Sequence, residues 1–400
     1  MSYNKNRFRH LLMFSLLVLT SCSNDGKTSS PLSEHESINS EQTSIVTKSD
    51  DVTTVDSIIS SSEEEVSEVT SEEIVMKRES YTNPLYDRDF PDPSGVYDPV
   101  QRAWFLYATG GRILKSTDGV TFTHAAYTFQ TIPDWGTPGA GFWAPEVQYI
   151  GGQYVMYYSL SVWGDSNPGI GVATAPRPQG PWTDRGKLFR SLEIGVNNSI
   201  DPGVFISEDG KVYMIWGSMR GNYIVELTSD GLALKDATPE AASLSKIRVA
   251  GLDTSISWTV DTYEAAYVRY FNGYYYLFLS MGTCCEGVNS TYQVVVSRSK
   301  SPTGPYVDHL NREMTARNVG KLVIQKNDFF VGTGHNSVID DVNGEPWFYY
   351  HAFHKEGTGT SRVLLMERLL FDDEGWPYVQ GFEASKKERI GPYYFKEVTE

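Results

Sequence analysis

The feature that most limits how this chain can fold is a repeat. Five times a polar residue heads a short apolar run, a turn follows, and an aromatic-rich run comes next. The copies are Asp92-Pro-Ser-Gly-Val-Tyr with Trp104-Phe-Leu-Tyr, Glu146-Val-Gln-Tyr-Ile with Tyr154-Val-Met-Tyr-Tyr, and Asp201-Pro-Gly-Val-Phe-Ile with Val212-Tyr-Met-Ile-Trp. Glu264-Ala-Ala-Tyr-Val with Tyr274-Tyr-Tyr-Leu-Phe-Leu and His335-Asn-Ser-Val-Ile with Trp347-Phe-Tyr-Tyr complete the set. Third runs follow at Arg112, Gly169, Tyr223, Tyr292 and Val363, and weaker fourth-strand signals stand at Trp182-Thr-Asp and Tyr306-Val-Asp. Short strands with Gly turns, about four to a copy and roughly fifty to seventy residues per period, are the pattern of radial β-sheet blades. No long stretch shows the 3.6-residue apolar periodicity of helices. The expected fold is all-β, a five-bladed β-propeller over residues 81–400.

In a propeller the first strand of each blade lines the central axis, so equivalent positions face one another across it. Placing the heads of the five runs at that position predicts a ring of Asp92, Glu146, Asp201, Glu264 and His335.

The residues before the repeat belong to no core. Lys5, Arg7 and Arg9 lead into an apolar run, Leu11 to Leu19, and then Thr20-Ser21-Cys22, which reads as a secretory signal over residues 1–22. It resembles a bacterial lipobox, in which Cys22 becomes the lipidated first residue of an exported, surface- or periplasm-facing lipoprotein. Residues 23–80 are rich in Ser, Thr and Glu, carry 14 acidic against 4 basic residues, and read as a solvated, disordered tether. The net charge of −16 leaves no basic stripe for nucleic acid. Only three cysteines are present, and Cys284 and Cys285 are adjacent, so no disulfide staples distant parts of the domain. The pair reads either as a vicinal disulfide or as two thiols lining a cleft.

Clustered carboxylates raise one another's pKa, so a ring of them keeps one or more protonated near neutral pH. Three chemistries use such a site: glycoside hydrolysis, metal binding, and recognition of a sugar without turnover. Hydrolysis needs one ionised and one protonated carboxyl on opposite sides of the scissile bond. Glu264, between Tyr263 and Ala265, has the apolar setting that suits an acid, and Asp92 lies in a tight Pro91-Asp92-Pro93 turn.

Phe90-Pro-Asp92-Pro-Ser, Phe142-Trp143-Ala-Pro-Glu146, Ser199-Ile-Asp201-Pro-Gly and Tyr263-Glu264-Ala-Ala, in this order, resemble the motifs of family 43 glycoside hydrolases. The Cys284-Cys285 segment running to Tyr292 and Gly332-Thr-Gly-His335-Asn-Ser resemble the arabinanases within it. The resemblance implies a monomeric, inverting hydrolase of α-1,5-L-arabinan, acting at internal bonds. Its alternatives are an exo-acting α-L-arabinofuranosidase or β-xylosidase, and a non-catalytic sugar-binding propeller. It also implies Asp92 as general base, Glu264 as general acid, and Asp201 as the third carboxylate that keeps Glu264 protonated. Asp89 is the rival base. His335 is expected beside a calcium ion held largely through water, since calcium prefers oxygen ligands. Trp143, Glu146, Trp163, Cys284 and Cys285 are the expected substrate-binding residues, with Trp135 a further aromatic candidate. Glu146 departs from the family's pattern, where Asp is usual.

Overall fold

Runs rich in Val, Ile, Tyr, Phe and Trp, broken every few residues by glycine-bearing turns, favour short antiparallel strands. The computed structural model describes residues 73–252, 263–356 and 359–398. The signal segment 1–22 with Cys22, and tether residues 23–72, lie outside the described residues. The first strand, β1 (Glu73–Tyr81), takes up the last residues expected to be tether, so ordered structure starts before residue 81.

Five four-stranded antiparallel sheets follow, each built from consecutive strands. Blade one comprises β2 (Ser94–Asp98), β3 (Ala103–Tyr107), β4 (Arg112–Ser116) and β5 (Thr123–Tyr127). Blade two comprises β6 (Gly141–Ile150), β7 (Gln153–Ser161), β8 (Gly169–Ala175) and β9 (Thr183–Arg190). A short helix, α1 (Ser191–Ile194), leads to blade three, with β10 (Gly203–Ile206), β11 (Val212–Trp216) and β12 (Asn222–Glu226). Helix α2 (Pro239–Ser245), capped by the Thr238 hydroxyl, precedes its outer strand β13 (Ile247–Ala250). Blade four comprises β14 (Tyr263–Phe271), β15 (Tyr274–Met281), β16 (Gln293–Ser299) and β17 (Lys321–Ile324). Blade five comprises β18 (Phe330–Asp340), β19 (Pro346–His354), β20 (Arg362–Phe371) and β21 (Pro377–Val379). The last strand, β22 (Arg389–Val398), pairs antiparallel with β1 as a separate two-stranded ribbon.

The domain is thus the five-bladed β-propeller that the repeat predicts. One fourth strand differs. Tyr306-Val-Asp makes only isolated bridges, Val307 to Arg298 and to Glu313, and the outer strand of blade four is β17.

β2, β6, β10, β14 and β18 form the inner ring, and the apolar faces of neighbouring blades meet in five wedges. Trp216, Phe189 and Tyr157 fill the wedge between blades two and three, and Trp104, Trp347 and Tyr349 the one between five and one. Each such side chain contributes roughly 1.5–3 kcal/mol on burial. Inner strands pass so closely that a Cβ on Gly203 would lie 2.3 Å from the Ala266 carbonyl oxygen.

Candidate active site

Each inner strand contains, or is preceded by, a residue with left-handed backbone: Asp92 (φ 58°), Ala144 (40°), Asp201 (58°), Ala265 (53°) and His335 (50°). A non-glycine residue there costs about 1 kcal/mol, so five at one repeat position mark a shared design. In blades two, four and five the strand continues through this point with a register shift, between Trp143 and Glu146, Glu264 and Tyr267, and Gly334 and Ser337. This corrects the expected ring. Asp92, Asp201 and His335 are equivalent, whereas Glu264 precedes the left-handed residue of its blade and Glu146 follows its own by two.

The backbone N–H of the left-handed residue is captured by a side chain on, or just past, the second strand of the preceding blade. Ala144 donates to Thr109 Oγ1 (2.8 Å), Asp201 to Ser159 Oγ (3.1 Å), His335 to Ser280 Oγ (2.8 Å) and Asp92 to His351 Nδ1 (3.0 Å). At the boundary of blades three and four the contacts serve two carboxylates directly. The Ala265 N–H donates to the Asp201 carboxylate, and the Ser218 hydroxyl donates to Glu264 Oε2.

The three expected catalytic carboxylates gather at this end of the channel, 6 to 8 % exposed. Burial works against ionisation of Asp92. It is outweighed by Arg362, whose Nη1 donates to Oδ1 at 2.9 Å, and by His335, whose Nδ1 lies 3.3 Å from the same oxygen, so the carboxyl is held well below its usual range. Thr109 Oγ1 donates to the other oxygen, Oδ2, at 2.6 Å. Burial pushes Glu264 up to about 8, reinforced by the Asp201 charge, with the Ser218 hydroxyl and His335 opposing. Asp201 is raised to about 6 by burial and by Asp92, against His335 and the Ala265 N–H. His335 rises despite its burial because Asp92, Asp201 and Glu264 surround it. His351, accepting at Nδ1 and stacked on Tyr292, is pushed down to about 4 by burial and stays neutral.

Other expected residues separate here. Asp89, the rival base, is exposed and accepts the Arg362 backbone N–H (2.9 Å). Glu146, expected among the substrate-binding residues, is held by neighbouring side chains. It is 4 % exposed, accepts from Ser94 Oγ (2.7 Å) and Gln148 Nε2 (2.7 Å), and faces a water-sized cavity of about 10 Å³ in the channel with Asp201, His335 and Asn336. Its carboxyl is raised to about 7 by burial. Trp135 packs on Tyr158 and donates to its hydroxyl (3.1 Å), a core role. Trp143 is half-buried and Trp163 is 81 % exposed. Cys284 and Cys285 form a disulfide, and Cys285 Sγ lies 3.9 Å from Arg362 Nη1. Thr109, Ser218, His351 and Arg362 were not singled out in the sequence. The first three close the second run of their blades with a polar atom, a periodic signal alongside Ser159 and Ser280.

Among the described residues no three of His, Cys, Asp or Glu gather at metal-ligating spacing. A hard cation beside His335 would take most of its ligands from water. The Asn336 amide fits that description, buried with neither side-chain atom hydrogen-bonded to protein.

The sequence profile of the glycosyl hydrolases family 43 matches residues 81–377. The chain belongs to this family. An extracellular exo-α-(1→5)-L-arabinofuranosidase of Cellvibrio japonicus is 33% identical over 302 residues, 71% of this chain and 86% of its own. An extracellular endo-α-(1→5)-L-arabinanase of Bacillus subtilis is 32% identical over 70% of this chain and 87% of its own. Among solved structures, the family 43 endo-arabinanase of Bacillus licheniformis superposes with a TM-score of 0.63 at 31% identity, over 73% of this chain and 98% of its own. The family 43 glycosidase is thus a propeller whose carboxylates occupy one mouth of the channel.

Proposed function

We propose that this glycosidase cleaves α-1,5-linked L-arabinan by single displacement with inversion, at internal bonds. The supporting observation is the split between Asp92, held ionised by Arg362 and His335, and Glu264, held protonated by burial and Asp201. Water gives its proton to Asp92 as its oxygen bonds to the anomeric carbon. The glycosidic C–O bond breaks, and the Glu264 proton passes to the leaving oxygen. Asp201 maintains that proton and orients the acid through its hold on the Ala265 N–H. Relatives named for arabinan hydrolysis, and a Cellvibrio cellulosa arabinanase solved with arabinohexaose (30% identity, TM-score 0.65), support the substrate class.

The Cellvibrio japonicus relative, named as exo-acting, supports a second reading in which single sugars leave from chain ends. Sizing the first products from linear arabinan separates the two. Oligosaccharides of mixed length support internal cleavage, and monosaccharide alone from the outset sinks it.

Trp143, the exposed Trp163 and the Cys284–Cys285 disulfide serve as sugar contacts in this reading, an aromatic face complementing the apolar C–H face of a furanose. A calcium ion held largely through water beside His335 and Asn336 would supply positive charge near Asp92. Verified metal removal without loss of rate would count against it. Relatives named as extracellular support export of this chain. Lipidation at Cys22 as a bacterial surface or periplasmic anchor belongs to the same reading, and Cys22→Ser should then release the enzyme from the membrane fraction.

A further inference from the structure

Thr109 is placed where a single hydroxyl meets both the catalytic carboxylate and a blade boundary. It stands just past β3, and its backbone N–H donates to the Pro91 carbonyl (3.0 Å), which fixes it beside Asp92. Its Oγ1 donates to Asp92 Oδ2 (2.6 Å) and accepts the N–H of Ala144, the left-handed residue of blade two (2.8 Å). A threonine hydroxyl has one proton to give, and the accepted N–H leaves that proton for Asp92.

The two oxygens of Asp92 are unequal. Oδ1 faces Arg362 Nη1, His335 Nδ1 and His351 Nδ1 at 2.9, 3.3 and 3.3 Å. Oδ2 has Thr109 as its hydrogen-bond partner. A carboxylate oxygen offers about two lone-pair directions, so one on Oδ2 stays open while the Oδ1 side is crowded by cationic and imidazole groups. Other members of the periodic set, Ser159 and Ser280, hold only the backbone at Asp201 and His335. Thr109 combines that clasp with a bond to the base itself.

We infer that Thr109 is a positioning residue for hydrolysis, selecting Oδ2 of Asp92 as the oxygen that takes the proton from water and tying its orientation to the packing of blade one on blade two. This rests on the assignment of Asp92 as general base.

The test compares Thr109→Val, which keeps the shape and removes the hydroxyl, with Thr109→Ser, which restores the hydroxyl without the methyl. Both are assayed on linear arabinan and on an aryl arabino-oligoside with a nitrophenolate leaving group. Hydrogen bonds to charged groups are the strong ones, so Thr109→Val should lose roughly tenfold or more in kcat with KM within about twofold, on both substrates. The loss persists on the aryl substrate because water activation is still required when the leaving group needs no acid. Thr109→Ser should recover kcat to within about threefold of the native enzyme. Overturning results are kcat within twofold of native in Thr109→Val, a Thr109→Ser enzyme as impaired as Thr109→Val, or a Thr109→Val defect that vanishes on the aryl substrate. Should Thr109→Val fail to fold, the same criteria apply to Thr109→Ala measured against Thr109→Ser. Asp92→Asn separates this inference from its premise: full activity in that variant removes the base assignment itself, whereas an inactive Asp92→Asn beside an unimpaired Thr109→Val removes only the role of Thr109.

Discussion

Asp92 and Glu264 are equally deep in one site and come to rest on opposite sides of neutrality. Each is less than a tenth exposed, so burial pushes both toward the protonated form. At Asp92 that push meets the Arg362 guanidinium and the His335 ring, and it loses. At Glu264 it is joined by the Asp201 carboxylate, with the Ser218 hydroxyl and His335 too weak to reverse it. What separates the proposed base from the proposed acid is the sign of the nearest charge, with depth held constant.

The contrast is broken most severely by removing either end. Glu264→Ala and Asp92→Ala should each lower kcat on linear arabinan roughly a hundredfold or more. An aryl substrate tells the two apart: its phenolate leaves without a proton, so it should restore much of the Glu264→Ala rate and little of the Asp92→Ala rate. Equal rescue of both variants would mean that the two roles are misassigned.

A smaller effect sharpens the acid side. The Asp201 charge raises Glu264, so Asp201→Asn should let Glu264 ionise earlier. The basic limb of kcat/KM, expected near the value of about 8 held by Glu264, should then move to lower pH. A limb that stays in place would show that the Asp201 charge does not reach the acid. The two groups titrate together, so the profile reports the pair.

The smallest effect concerns Glu146, which is buried and has no ion pair among the described residues. Its folded pKa of about 7 stands above the unfolded carboxyl value. The stability it contributes is fully present below the unfolded value and lost as pH rises through about 7. Glu146→Gln should therefore flatten the decline of Tm between pH 5 and 8 by roughly a few degrees. An unchanged decline would place its origin elsewhere, with Glu367, also raised to about 7 by burial, as the next candidate.

The blades were legible because hydrophobic patterning is repeated and local. The Asn272-Gly273 turn, with both residues at positive φ, joins β14 to β15 where such a pair is expected. The inner register was not legible. Ala144 and Ala265 carry the left-handed conformation without any residue type that announces it, so the nearby acids Glu146 and Glu264 stood in their place. Asp92 and Asp201 were found because an aspartate heads each of those two strands itself. Arg362 lies 270 positions from Asp92, and nothing in its local sequence distinguishes it from any other strand arginine. The outer strand of blade four was misplaced because the segment 300–320 intervenes before β17 returns to the sheet.

No blade of the ring mixes the first and last described segments; each blade is one unbroken stretch, and those segments pair with each other as the β1–β22 ribbon. Asp92 arrives with the first blade, and three of its partners, His335, His351 and Arg362, arrive with the fifth. Without that last blade, Asp92, the proposed base, would lack Arg362 and His335, the charges that hold it ionised. Under the proposed roles, closure of the circle is the step that brings the first blade's carboxylate and the fifth blade's charges together.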